Sequence, residues 1–207
     1  MTKLFMLDNL DSFTYNLVDE FHCLGFQPTV YRNTLSADFI FNKMLEHTKN
    51  TGEPVMLVLS PGPGTPQKAG CLMALIAKCA GHIPMLGICL GHQALIEHYG
   101  GQVERADEIV HGKASNITHC ASGAFANIQS PLPVARYHSL IGTNIPEKLN
   151  TIAEYKGMCM AICQEDDAIL AFQFHPESIL TTFGGTLLAQ SIDYLLSLAT
   201  SSIGAKK

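Results

Sequence analysis

Apolar residues follow two different rhythms along this chain. In the first half, short unbroken apolar runs alternate with segments whose apolar positions recur at helical spacing. Leu4 to Leu7 predicts a strand, and a helix from about Ser12 follows, with Phe13, Leu17, Phe21 and Leu24 on one face and Gly25 as its stop. Thr29 to Tyr31 predicts the next strand, and Ser36 opens a second helix carrying Phe39, Ile40, Met44 and Leu45. Val55 to Leu59, a helix over about Gly70 to Ala80, and a strand from Ile83 to Ile88 complete this half. After Gly100-Gly101 the segments shorten: Ile109-Val110, Asn116 to His119, Val134 to Tyr137, Thr151 to Tyr155 and Met158 to Cys163, interrupted by Gly, Pro and Asn. These predict antiparallel strands and turns. A strand over Ile169 to Phe174 precedes a closing helix from about Gly185 to Leu198, with Leu188, Ile192, Leu195 and Leu196 on one face. The expected fold is α/β, with a mostly parallel central sheet, helices on both faces and a small antiparallel region in the second half. Ligands bind such sheets beyond the carboxyl ends of the strands.

Composition narrows the class. The 207 residues are 47% hydrophobic and 15% charged, which suits one buried core, and a single domain over 1–207 is expected. A net charge of -5 and no Lys/Arg block remove the electrostatic footprint of a nucleic-acid or anionic-membrane binder. The first residues hold too short an apolar run for a signal peptide, and no stretch approaches the roughly 18 apolar residues of a membrane span, so a cytoplasmic location is expected. Seven cysteines without a C-x-x-C pair argue against a disulfide framework and a tetrathiolate zinc site. Six of them read as small buried apolar residues of a reducing compartment.

Cys89 differs because of its surroundings. The apolar run ending at Ile88 breaks at Gly87-Ile88-Cys89-Leu90-Gly91 and enters the helical stretch Ala94 to Tyr99. This is the pattern of a nucleophile elbow, in which the reactive residue sits on a strained strand-to-helix turn and only glycine fits beside it. A helix start favours a thiolate, but by less than roughly 2 kcal/mol, so an oxyanion hole is needed, where one donor is worth about 3 to 4 kcal/mol. The elbow supplies the N–H of Leu90. A second donor is expected from Ser60-Pro61-Gly62-Pro63-Gly64-Thr65-Pro66, whose glycines let amides approach a ligand. On its own that string is a tight surface turn, and no Gly-Lys-Ser/Thr follows to make it a nucleotide loop.

The base should be one of nine histidines. His92 lies one turn after Cys89 on the same helix and is expected to be structural. His22, His47, His82, His98, His111 and His119 show no acidic partner in the sequence, and His138 sits in Arg136-Tyr137-His138-Ser139, a pocket rim without a carboxylate. His175 ends a predicted strand, and Pro176 holds it extended, so residues 175 and 177 project to the same side. Glu177 can then orient the imidazole while Cys89 uses its other nitrogen, as in a Cys-His-Glu triad.

Pro61-Gly62-Pro63-Gly64, Gly87 to Gln93 and Phe174-His175-Pro176-Glu177-Ser178 resemble, in order and context, the three signature blocks of the class I (triad) glutamine amidotransferases. The resemblance spans nearly the whole chain, from Asp8 to Asn16 through His111 to Ser115 to Ile179-Leu180-Thr181-Thr182. It implies a flavodoxin-like fold and a γ-glutamyl thioester on Cys89, with His175 as acid and base, Glu177 orienting it, and the amides of Gly62 and Leu90 as oxyanion hole. It also implies that Gly62, Pro63, Gly64, Gln93, Ser139 and Leu140 hold L-glutamine. Within the family the chain is similar to subunits that deliver ammonia to a chorismate-using synthase subunit in a hetero-oligomer. Leu132 to Leu140 and Asn144-Ile145-Pro146 look more like the anthranilate (tryptophan) branch than the aminodeoxychorismate (folate) branch. No metal or cofactor is implied here, magnesium being expected in the partner. Two other classes stand beside this reading: a non-catalytic flavodoxin-like binding module, which loss of a triad member would favour, and a peptide-cleaving thiol hydrolase, for which the chain shows no extended cleft.

Overall fold

A computed structural model describes residues 2–106, 110 and 112–205, with side chains described through residue 200. The predicted Ile109 and His111 lie outside the described residues. In chain order the elements are β1 (Lys3–Asp8), α1 (Thr14–Cys23), β2 (Thr29–Arg32), α2 (Ala37–Thr51), β3 (Val55–Leu59), α3 (Leu72–Cys79), β4 (Met85–Ile88) and α4 (Leu90–His98). The second half holds β5 (Gln102–Arg105), β6 (Lys113–His119), β7 (Leu132–Arg136), β8 (Leu140–Thr143), β9 (Asn150–Tyr155), β10 (Met158–Gln164), β11 (Ile169–Phe172) and α5 (Gly184–Ala205).

Nine strands form one sheet in the order β2-β1-β3-β4-β11-β10-β9-β6-β7. Pairings from β2 to β11 are parallel, and those from β11 to β7 antiparallel. The antiparallel strands therefore extend the parallel sheet, while β5 and β8 make a separate two-stranded ribbon. Strand alternation divides the core in two. Leu4, Met6, Met56, Val58, Leu170 and Phe172 face α1 and α5, whereas Phe5, Leu7, Leu57, Leu59, Ile169 and Ala171 face α2, α3 and α4.

Several helix expectations shift by a turn or a face. Ser36 caps α2 by accepting from Phe39 N–H at 3.2 Å, as its position before the apolar pattern requires. Phe39 and Leu45, however, are exposed, and the helix buries Ala37, Ile40 and Met44. Phe13 lies before the first turn of α1 rather than on its buried face, which is Thr14, Leu17, Val18 and Phe21.

The sheet turns back between β1 and β3, so the loops after these strands open at a topological switch point. The Gly62 loop follows β3, and Cys89 follows the adjacent β4.

Candidate active site

The elbow is built by backbone crowding. Cys89 has φ 52° and ψ -97°, outside the favoured basins for a residue with a side chain, and caps α4. A Cβ on Gly87 would lie 2.8 Å from the Gly91 carbonyl carbon, and one on Gly91 would lie 2.6 Å from the Leu59 carbonyl oxygen. Strand and helix can therefore meet at the sharp angle that lifts Cys89 out of both. Leu90 opens α4, so its N–H has no acceptor inside the helix.

The neighbouring loop is tied to the end of β1. Asn9 N–H donates to Ser60 Oγ at 2.9 Å, and Asn9 Nδ2 donates to the Ser60 carbonyl at 2.9 Å. These bonds hold Gly62 so close that a Cβ there would lie 2.5 Å from Leu90 Cδ2 and 2.6 Å from Asn9 Cβ. The Gly62 loop is thus packed against the Leu90 side chain. Pro63 and Gly64 are exposed at the loop tip, where Gly64 has φ 78°.

The antiparallel half delivers the histidine. His175 N–H donates to the Ala135 carbonyl at 3.1 Å, which bridges the chain after β11 to β7. Thr181 Oγ accepts from Ala135 N–H and donates to the His175 carbonyl, clamping the turn. His175 Nδ1 lies 2.7 Å from Glu177 Oε1, both side chains being buried. Burial, the largest influence on the imidazole, disfavours its charged form. The charge of nearby Cys89, followed by the hydrogen bond and charge of Glu177, outweighs it and raises the His175 pKa well above its ordinary value. The residues at 89, 175 and 177 therefore meet in one site.

Glutamine-binding candidates gather beside it. Gln93 Nε2 donates to the Leu140 carbonyl at 3.0 Å, joining α4 to β8. Ser139 is exposed, and its carbonyl is taken by Ala106 N–H at 2.9 Å.

The other histidines separate by environment. His92 is fully buried, and burial first, then the charge of His138, pushes its pKa down to about 3. It is neutral and structural, as expected. His138 is buried rather than on a rim, and desolvation followed by the Arg136 charge lowers it to about 4. His47 corrects an expectation: its Nε2 lies 3.1 Å from Glu53 Oε2, an acidic partner six residues away that the α2 turn brings back. That pair sits beside Phe5 at the amino ends of the strands, opposite Cys89. Among the other cysteines, burial pushes Cys79 up to about 12 and Cys159 and Cys163 to about 11, which keeps them as thiols. No cluster of three metal-ligating side chains occurs among the described residues.

Three further residues, to which no role in the chemistry was assigned from sequence, surround the triad. Phe13 and Tyr137 pack their rings at 5.2 Å from the His175 ring, from opposite halves of the chain. Gln173 is fully buried, and its Nε2 approaches the Cys89 sulfur at 3.7 Å. A polar residue between two core phenylalanines, Phe172 and Phe174, was the available signal.

A cysteine elbow with a glycine-rich loop packed beside it and a buried His-Glu pair, set on this sheet, defines a thiol amidohydrolase site. The class-I glutamine amidotransferase model matches residues 5–194, and the chain belongs to that family. Among curated relatives it is 51% identical to anthranilate synthase component 2 of Haemophilus influenzae, covering 95% of this chain and 100% of that protein. It is 47% identical to anthranilate synthase component 2 of Vibrio parahaemolyticus, over 95% of this chain and 97% of that protein. It is 45% identical to the protein of that name from Helicobacter pylori, over 95% and 99%. A solved structure from Thermoplasma acidophilum, assigned to GMP synthase, superposes with a TM-score of 0.79 at 23% identity, covering 95% of each chain, which shows the shared fold.

Proposed function

We propose that this chain is the glutaminase subunit of an anthranilate synthase, hydrolysing L-glutamine at Cys89 and passing ammonia to a chorismate-using synthase subunit. The observation that carries this reading is the convergence of Cys89, the buried His175–Glu177 pair and the Gly62 loop packed against Leu90. The relatives' shared name favours the tryptophan branch.

In this reading the Cys89 thiolate adds to the side-chain amide carbon of glutamine. The tetrahedral oxyanion is held by the N–H groups of Gly62 and Leu90. His175, protonated at rest, gives its proton to the departing nitrogen, and the carbon–nitrogen bond breaks to leave a thioester and ammonia. His175, now neutral, takes a proton from water as the water attacks the thioester, releasing glutamate and restoring the ion pair. Glu177 holds the ring in the orientation both transfers need. Gln93, Gly64 and the Ser139-Leu140 backbone bind the amino-acid end of glutamine. Protein groups fill every role, so we assign this chain no cofactor and give magnesium to the synthase partner. Partnership with a biosynthetic enzyme supports a cytoplasmic location.

The partner's seat follows from exposed apolar residues around the site mouth. Leu10, Tyr15, Ile179 and Phe183 are 53%, 61%, 100% and 54% exposed. Phe13 and Tyr137 bring the loop after β1 against His175, and Tyr137 Oη lies 3.5 Å from Ser178 Oγ, so both exposed segments border one opening. An apolar rim there suits a subunit that must seal ammonia from water.

The test is glutamate release with and without the synthase partner. Native protein should turn over slowly alone and faster with the partner, and Cys89→Ser should lose activity about 10,000-fold or more. Full turnover by that variant would refute the assignment. Ile179→Asp should weaken synthase binding while leaving the fold intact, and so should joint substitution of Ser12 and Phe13; unchanged affinity in both would move the contact elsewhere.

A further inference from the structure

A fully buried amide needs partners, and Gln173 has them on two sides. The polarity of its hydrogen bonds is fixed from a distance. Leu140 contributes a backbone carbonyl, which can only accept, so the Gln93 atom 3.0 Å away is the donor Nε2. The same Nε2 lies 3.2 Å from Gln173, which must therefore present Oε1 to it. That leaves Gln173 Nε2 facing the Cys89 sulfur. His92, buried beside this amide, is neutral and adds no charge. The chain from Leu140 to Cys89 thus has one direction.

We propose that Gln173 is a positioning residue that couples the nucleophile to the substrate-binding side chain, one end donating to the Cys89 sulfur and the other fixing Gln93. This deepens the glutaminase reading and rests on it. An N–H aimed at sulfur favours the thiolate over the thiol, because only the anion gains a strong acceptor. Fixing Gln93 Nε2 between two acceptors also directs its remaining atom, the acceptor Oε1, away from Gln173 and Leu140. Substrate grip and nucleophile charge then share one set of hydrogen bonds.

Two variants separate the ends. Gln173→Glu keeps an acceptor for Gln93 but withdraws the donor from sulfur, and Gln173→Met keeps the volume while removing both. Carbamidomethylation of Cys89 by iodoacetamide, followed by peptide mass spectrometry, reads the sulfur without any glutamine present. In both variants its rate at neutral pH should fall about tenfold, the worth of one charge-assisted hydrogen bond, and recover at alkaline pH. The KM for glutamine should stay near native in Gln173→Glu and rise about fivefold in Gln173→Met. A side chain that only fills space would leave the alkylation profile of the Met variant native. That outcome, or a Met variant with native KM, overturns the proposal. Should the Met variant fail to fold by circular dichroism, Gln173→Asn, whose amide is withdrawn by one methylene, carries the same two readouts. Absence of glutamine turnover in the native protein would instead strike the functional reading, leaving the alkylation result to stand or fall separately.

Discussion

The two halves of the site are held by different physics. On the parallel side, Cys89, Leu90 and Gly62 are placed by backbone contacts so close that an added Cβ would collide at Gly62, Gly87 or Gly91. On the antiparallel side, His175 and Glu177 are placed by buried polar groups: their mutual bond, the Thr181 clamp, and the nearby Gln173 and His138. The nucleophile's half therefore tolerates no added atom. The acid-base half tolerates no lost partner.

Replacing Glu177 by Gln tests the second statement most severely, because volume is kept and only charge goes. The imidazolium loses the negative charge facing Nδ1, and turnover should fall about 100- to 10,000-fold with little change in KM. Steady-state kinetics of glutamate release checks this. A loss below about tenfold would mean that Cys89 alone holds the proton on His175, and the division would break.

Gly91→Ala tests the first statement. Its new Cβ would lie 2.6 Å from the Leu59 carbonyl oxygen and 2.8 Å from Leu59 Cβ, both fixed in β3. Helix α4 must shift, at about 1–3 kcal/mol, and the midpoint should drop by several degrees together with activity. Gly64→Ala is the control for the thermal midpoint. Nothing lies within 4 Å of its Cβ position, so only the cost of φ 78° remains, about 1 kcal/mol.

The division also explains what could be read from sequence. Glycines crowded around a cysteine after an apolar run leave a local trace, so Cys89 and Gly62 were legible without a fold. His175 and Glu177 were legible because Pro176 constrains the backbone between them. Gln173, His138 and Phe13 were not, since their roles depend on which strand lies across the sheet. Burial and the charges of Arg136 and His175 keep His138 neutral, and the His47–Glu53 pair comes from a helical turn closing on a strand start. Strand existence was readable from period, but the continuity of β10, β9, β6 and β7 with the parallel sheet rests on pairing far apart in the chain.

The buried neutral histidines sharpen the contrast through pH. His92 has a folded pKa of about 3 against an ordinary 6.5, so the unfolded chain binds a proton that the folded one refuses as pH falls through that window. Stability is accordingly highest above about pH 6.5 and declines toward pH 3 on this account, with His138, at about 4, adding the same sign. His175 has the opposite sign, since its raised pKa stabilises the fold at low pH and loses that contribution as pH rises through the folded value. His92→Gln removes one proton site from the balance. Its urea-unfolding free energy should fall less between pH 7 and pH 4.5 than that of the native protein, by about 2 kcal/mol. Equal losses would place a proton on His92 in the fold.

The smallest effect expected belongs to a ring that joins the two halves. Phe13 comes from the loop after β1, whose backbone is tied by Asp8 Oδ1 accepting from Leu10 N–H at 2.9 Å and by Asp11 Oδ1 accepting from Phe13 N–H at 2.7 Å. Its ring lies 5.1 Å from Tyr137 and 5.2 Å from His175, which belong to the antiparallel side. Phe13→Leu keeps an apolar filler and removes the ring contact, worth about 0.5–1.5 kcal/mol, so kcat should fall about three- to tenfold. The same loop exposes Leu10 and leads into Tyr15 on α1, so a synthase seated on this rim, as proposed, would press on the anchor of this ring. The deficit should therefore be larger in the free protein than in the complex, where the partner holds the loop. Glutamate release measured in both states decides it: an equal deficit would make Phe13 a local filler with no link between the rim and the imidazole.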